Sequence, residues 1–187
     1  MQRFKHSASQ GFTLIELMAT IVVSMILLVT GGATYLQFQE RQEAEKVATE
    51  LQRFIVKTRA RARSQDAESC TVPGDKVVGY SFTFNTTLDQ VESMGFCGDG
   101  KYDTTNTAGT VTDTYPIPAP VDIEIDGSPL VVNGSVTNSR TITFYSLTGG
   151  ATVQNTSAGT IDVSRGGVTY RFIVSPGGEI SSVQKVP

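Results

Sequence analysis

The 187-residue chain has no tryptophan, a single histidine, His6, and only two cysteines, Cys70 and Cys97. One imidazole close to the start of the chain leaves no basis for histidine catalysis. No nucleophile elbow, metal-spaced His/Cys cluster or phosphate-binding glycine loop is present either. An enzyme is therefore not expected, and no cofactor or metal site is assigned. Asp99, Asp103 and Asp113 share a glycine-bearing loop and are calcium ligands by residue type, but their spacing matches no EF-hand, so they read as solvated loop acids. Two cysteines allow at most one disulfide. If the part of the chain that carries them is exported they can pair, closing a loop worth about 3–4 kcal/mol in the chain-entropy model; two reduced, buried thiols are the alternative.

Positive charge is also scarce. The formal net charge is −3, and from Ala67 onward 6 Lys/Arg stand against 12 Asp/Glu. That balance argues against a general nucleic-acid-binding surface. Arg53, Lys57, Arg59, Arg61 and Arg63 form a basic run without an intervening acid, which is the one stretch that invites a DNA-contact reading. At helical spacing these residues spread around the axis instead of forming a stripe. A solvated, salt-bridged face is the preferred reading, and nucleic acid is not expected as a partner.

What is present is concentrated at the N-terminus. Residues 1–11, MQRFKHSASQG, carry two firm positive charges and no acid, and residues 12–29, FTLIELMATIVVSMILLV, are apolar apart from small hydroxyls and Glu16. Positive-inside reasoning keeps the first segment in the cytoplasm and sends the rest across. Through Leu36 and Phe38 the apolar run is long enough to span a bilayer as a helix, and too long for the core of a cleaved secretory signal. The distinctive residues, Gly11-Phe12-Thr13-Leu14-Ile15-Glu16, precede the apolar core. A cut after Gly11 removes the charged leader and keeps the whole hydrophobic helix. A carboxylate in hydrocarbon costs several kcal/mol unless it is compensated. The amine that such a cut creates on Phe12 lies one helical turn from Glu16 and can pair with it within the chain or from a neighbouring copy, which turns a local cost into an assembly signal.

The stretch Gly11 to Met18, GFTLIELM, resembles the class III prepilin signal of type IV pilins, type II secretion pseudopilins and competence pseudopilins. The resemblance implies a prepilin peptidase that cuts between Gly11 and Phe12, N-methylation of Phe12, and a role for Glu16 in subunit recruitment. It implies a single-pass protein of the bacterial inner membrane with its N-terminus in the cytoplasm and its head outside. Its partners are then membrane lipid before assembly, an inner-membrane assembly platform, and other pilin or pseudopilin subunits in a periplasmic or cell-surface filament.

Beyond Phe38 the pattern becomes amphipathic, with Ala44, Val47, Ala48, Leu51, Ile55, Thr58 and Ala62 at three- and four-residue steps. A helix continuous from Phe12 to about Asp66 is on the order of 80 Å long. Gly31 and Gly32 either loosen it where the bilayer ends or let helices approach closely. From residue 77 the period becomes two. Val78, Tyr80, Phe82 and Phe84 predict a strand, as do Val121, Ile123 and Ile125, and Val168, Tyr170, Phe172 and Val174; Thr141 to Leu147 and Thr160 to Ser164 are further candidates. Gly166-Gly167 predicts a two-residue hairpin, and Pro176-Gly177-Gly178 a turn before a last strand at Glu179 to Val183, together a C-terminal three-stranded meander. Gly98 to Pro120 reads as an exposed loop.

The expected fold is α+β, a long N-terminal helix packed on an antiparallel sheet. Its segments are a leader at 1–11, a membrane or filament-core helix at 12–36, its amphipathic continuation at 37–66 and a head at 67–187. The order of these elements is similar to the GspH/FimT-type minor pilins and pseudopilins. Three machines fit: a type IV pilus, a type II secretion apparatus, and a DNA-capturing competence pilus. The last ranks third because the tail offers only Arg165, Arg171 and Lys185 as cations.

Overall fold

The computed structural model describes residues 12–66, 70, 74–98, 107–146, 151–153 and 159–187, with the backbone alone at 29–34, 37, 107–108 and 152–153. The leader at 1–11, including Gly11, lies outside the described residues, as do Asp99 and Asp103. Among the described residues one helix, α1 (Leu14–Ser64), precedes eleven strands. These are β1 (Lys76–Asn85), β2 (Gln90–Gly98), β3 (Thr107–Pro116), β4 (Asp122–Ile125), β5 (Ser128–Val132), β6 (Ser135–Val136), β7 (Thr141–Tyr145), β8 (Ala151–Val153), β9 (Gly159–Arg165), β10 (Val168–Val174) and β11 (Gln184–Val186). The chain divides into two compact units, Met1–Gln39 and Glu40–Pro187, and α1 contributes to both.

The helix passes through Gly31 and Gly32 without a break. Of the two roles these glycines suggested, an interruption is therefore not what the backbone adopts: a cost of about 1 kcal/mol per glycine is carried by the cooperative turns on either side. The C-terminus of α1 is a Schellman cap. Asp66 N–H bonds the Arg61 carbonyl at 3.2 Å and Gln65 N–H the Ala62 carbonyl at 3.4 Å, with Gln65 left-handed at φ 51°. Arg61 and Arg63 in the last turn add favourable charge against the helix dipole.

In the second unit α1 buries Ala44, Val47, Ala48, Leu51, Phe54, Ile55, Thr58 and Ala62, the face expected from the sequence with Phe54 added. That face joins one hydrophobic cluster fed by two antiparallel sheets, where a single sheet was expected. The five-stranded sheet runs β3-β2-β1-β7-β8 and supplies Tyr80, Phe82, Phe84, Ile142 and Phe144. The six-stranded sheet runs β11-β10-β9-β4-β5-β6 and supplies Ile123, Ile125, Leu130, Val131, Ile161, Val163, Phe172 and Val174. Phe82 is the hub of the aromatic part, 6.1 Å from Phe84 edge-on and 6.4 Å from a stacked Phe144. Each such side chain contributes about 1.5–3 kcal/mol on burial.

Turn chemistry holds the register. Gly166 and Gly167 have φ of 58° and 74° and close the β9–β10 hairpin in two residues, as expected. The meander β9-β10-β11 is present, but its last strand is Gln184–Val186 and not Glu179 to Val183. The reason is local: Ile173 N–H is taken by the Ser181 side-chain oxygen at 2.8 Å, so only a single bridge, Val174 to Ile180, forms there. A second correction concerns Gly98 to Pro120. Much of that stretch is β3, paired to β2 through two register shifts.

Candidate functional site: the N-terminal motif

The start of α1 is set by Thr13. Its side-chain oxygen accepts the Glu16 backbone N–H at 3.3 Å and its carbonyl accepts the Leu17 N–H at 3.2 Å, while Phe12 and Thr13 themselves lie outside the helix. Thr13 is thus the N-cap and Glu16 the third helical residue, the spacing of a capping box. Glu16 in the first turn also places negative charge where the helix dipole favours it. By its chemistry alone Glu16 stands out as a carboxylate awaiting an amine. The Thr-x-x-Glu signal for a helix start was there to be read in Thr13-Leu14-Ile15-Glu16.

The apolar side chains that follow are largely exposed. Phe12 is 78% exposed, Leu14 77% and Ile15 76%, and Leu17, Met18, Ile21, Val22, Val23, Met25, Ile26, Leu27 and Leu28 are exposed as well. Polar groups within the stretch turn back on the helix: Thr20 Oγ1 donates to the Leu17 carbonyl at 2.8 Å. Glu16 has no ion-pair partner among the described residues. An exposed apolar stretch of this size marks a surface for lipid or for other apolar chains. The expected span at 12–36 includes residues 29–34, whose side chains are not described. Among the described residues no helix is long and apolar enough to cross a membrane.

The other predicted residues fall elsewhere. Cys70 and Cys97 are joined as a disulfide with an S–S distance of 2.02 Å, tethering the segment after α1 to β2. Of the three candidate calcium ligands, Asp113 is engaged by Lys57 from α1. Among the described residues no group of three or more His, Cys, Asp or Glu side chains is arranged to hold a metal. The basic run does not form one surface: Lys57 pairs with Asp113, Arg61 Nε lies 3.8 Å from Asp66, and Arg59 is half-buried. Desolvation, helped by the Arg63 charge and opposed by Glu179, lowers the Arg59 pKa from its ordinary value. In the head Arg165 pairs with Glu43, and Arg171 makes a bidentate bond to Asp162 in which its Nε and Nη2 each donate across 2.7 Å.

A family model described as a prokaryotic N-terminal methylation motif matches residues 6–31, the segment that holds Gly11, Phe12, Thr13 and Glu16. No curated protein and no solved structure matches the chain. The match supports a prepilin signal of the type IV pilin kind over those residues, and with it a type IV pilin-related or pseudopilin-like protein in general. Such a motif implies processing by a prepilin peptidase and assembly with other pilin subunits, and the proteins that carry it are structural and not enzymatic.

Proposed function

We propose that the protein is a minor pilin or pseudopilin, a structural subunit of a type IV pilus or related filament. The leader 1–11 is removed by cleavage between Gly11 and Phe12, and Phe12 is then N-methylated. The subunit waits as a single-pass protein of the inner membrane and enters the filament through the apolar part of α1, using the assembly platform and Glu16. The observation that carries this reading is the run of exposed apolar side chains from Phe12 to Leu28 interrupted by one acid at the first turn.

The GspH/FimT-type assignment rests on element order: a long helix, a β-rich head and a C-terminal meander. A type II secretion pseudopilin shares all of this physics and differs only in the machine that uses it. The pairing of Lys57, Arg165 and Arg171 with acids supports the lower rank of a DNA-capturing pilin, since phosphate binding needs cations free to release counterions.

The test is incorporation. Glu16→Ala is expected to leave cleavage intact while the variant is strongly depleted from sheared, purified filaments by mass spectrometry. Normal incorporation of that variant overturns the role given to Glu16, and an unprocessed wild-type chain in a host with an active prepilin peptidase overturns the whole reading.

A further inference from the structure

We propose that Thr13 is a positioning residue for the processing cut, acting through the helix start that it fixes; this rests on the reading of Gly11–Phe12 as the cleaved bond. A peptide bond inside an α-helix has its N–H and carbonyl committed to the helix and its backbone coiled, and a protease needs the chain extended with those groups free. Phe12 and Thr13 follow the proposed cut directly, and both lie outside α1. What stops the helix there is the Thr13 hydroxyl, which occupies the Glu16 N–H at 3.3 Å and so holds Thr13 in the non-helical conformation of an N-cap.

Two further observations sharpen the inference. The side chains next to this cap are apolar and exposed, so the first turn of α1 belongs to a hydrocarbon-like setting, where an unpaired amide is costlier than in water. The cap is thus worth more here than on a soluble helix. The next hydroxyl upstream in the sequence is Ser9, four residues earlier. With Thr13 silenced, a helix capped from Ser9 encloses Phe12 and the bond before it. Gly11 opposes that extension, because glycine is a poor helix former. On this view Thr13 and Gly11 cooperate from opposite sides to keep one bond accessible.

The experiment uses the full-length chain in liposomes with a purified prepilin peptidase, with initial rates of product formation read by mass spectrometry. Thr13→Val keeps the shape and removes the acceptor oxygen; Thr13→Ser and Thr13→Asn keep an acceptor. Thr13→Val is expected to be cut about fivefold more slowly, the population shift that loss of an N-cap produces, and the Ser and Asn variants within about twofold of wild type. Amide exchange at Glu16 should quicken in Thr13→Val and not in Thr13→Ser. Equal rates for Thr13→Val and wild type overturn the proposal, as does a Thr13→Ser variant as slow as Thr13→Val. A wild-type chain that is not cut before Phe12 instead overturns the processing reading on which it stands.

Discussion

Tyr115 near the end of β3 donates its phenolic hydrogen to Glu50 Oε2 of α1 across 3.1 Å. Burial first, then the Glu50 charge and the bond to it, push the Tyr115 pKa well above its ordinary value of 10. Tyr170 makes the matching bond to Glu45 at 3.3 Å and is raised for the same reasons, with Arg41 acting the other way. An unfolded tyrosine ionises near pH 10 while these two hold their protons. The unfolded state therefore binds fewer protons above that pH, and stability is full below about 10 and declines as pH rises further. The urea midpoint of the detergent-solubilised chain should fall between pH 10 and 12, and Tyr115→Phe should flatten the fall. A level wild-type midpoint across that window contradicts the assignment.

Gly79 lies in β1 opposite Tyr145, and a Cβ built there meets the Phe144 carbonyl oxygen at 2.6 Å. The obstacle is backbone, so it cannot swing aside. Gly79→Ala must part β1 from β7 in the middle of the five-stranded sheet, with an expected loss of about 1–3 kcal/mol. Thermal unfolding followed by circular dichroism measures it, and an unchanged midpoint shows that the two strands can separate freely.

Where a physical period is clean, the residues announced their structure. The buried face of α1 from Ala44 to Ala62 follows the 3.6 period, and β10 follows the period of two, because each buries one continuous face. β2 hid itself: its core-facing positions include Ser93, which bonds Thr58 of α1 at 3.2 Å, and its register shifts break the alternation. β3 looked like a loop because an edge strand with four threonines, Gly109 and Asp113 needs little apolar patterning when half its surface faces solvent. At the N-terminal motif the cleavage residues and Glu16 stood out by chemistry. The cap by Thr13 was equally legible, yet it needed the helix boundary to give it meaning.

The Cys70–Cys97 bridge closes a loop with a sequence separation of 27 residues. It restricts the unfolded chain between the end of α1 and β2, and for a loop of this size the chain-entropy model gives about 3–4 kcal/mol. Cys70→Ser/Cys97→Ser is expected to lose stability of that order, and reduction of the wild-type chain should lower its urea midpoint to the same value. If the double variant is as stable as the oxidised protein, the crosslink restrains nothing that the core does not already hold.

Two leucines on one helix separate the tasks of its two halves. Leu51 is fully buried in the head core, and Leu17 is 55% exposed in the first unit. Truncation of a buried leucine removes its transfer free energy and leaves a cavity, so Leu51→Ala should destabilise the head by about 2–5 kcal/mol. Leu17→Ala trims a side chain that is more than half exposed and lies outside the head core, and should shift head unfolding by less than about 0.5 kcal/mol. Its cost arises only where other apolar helices supply the missing neighbours, and it should appear as a lower yield of the subunit in sheared filaments with the precursor still processed. A Leu17→Ala variant that unfolds early but assembles normally reverses that assignment, since Leu17 would then serve the fold of its own chain and not the contact between chains.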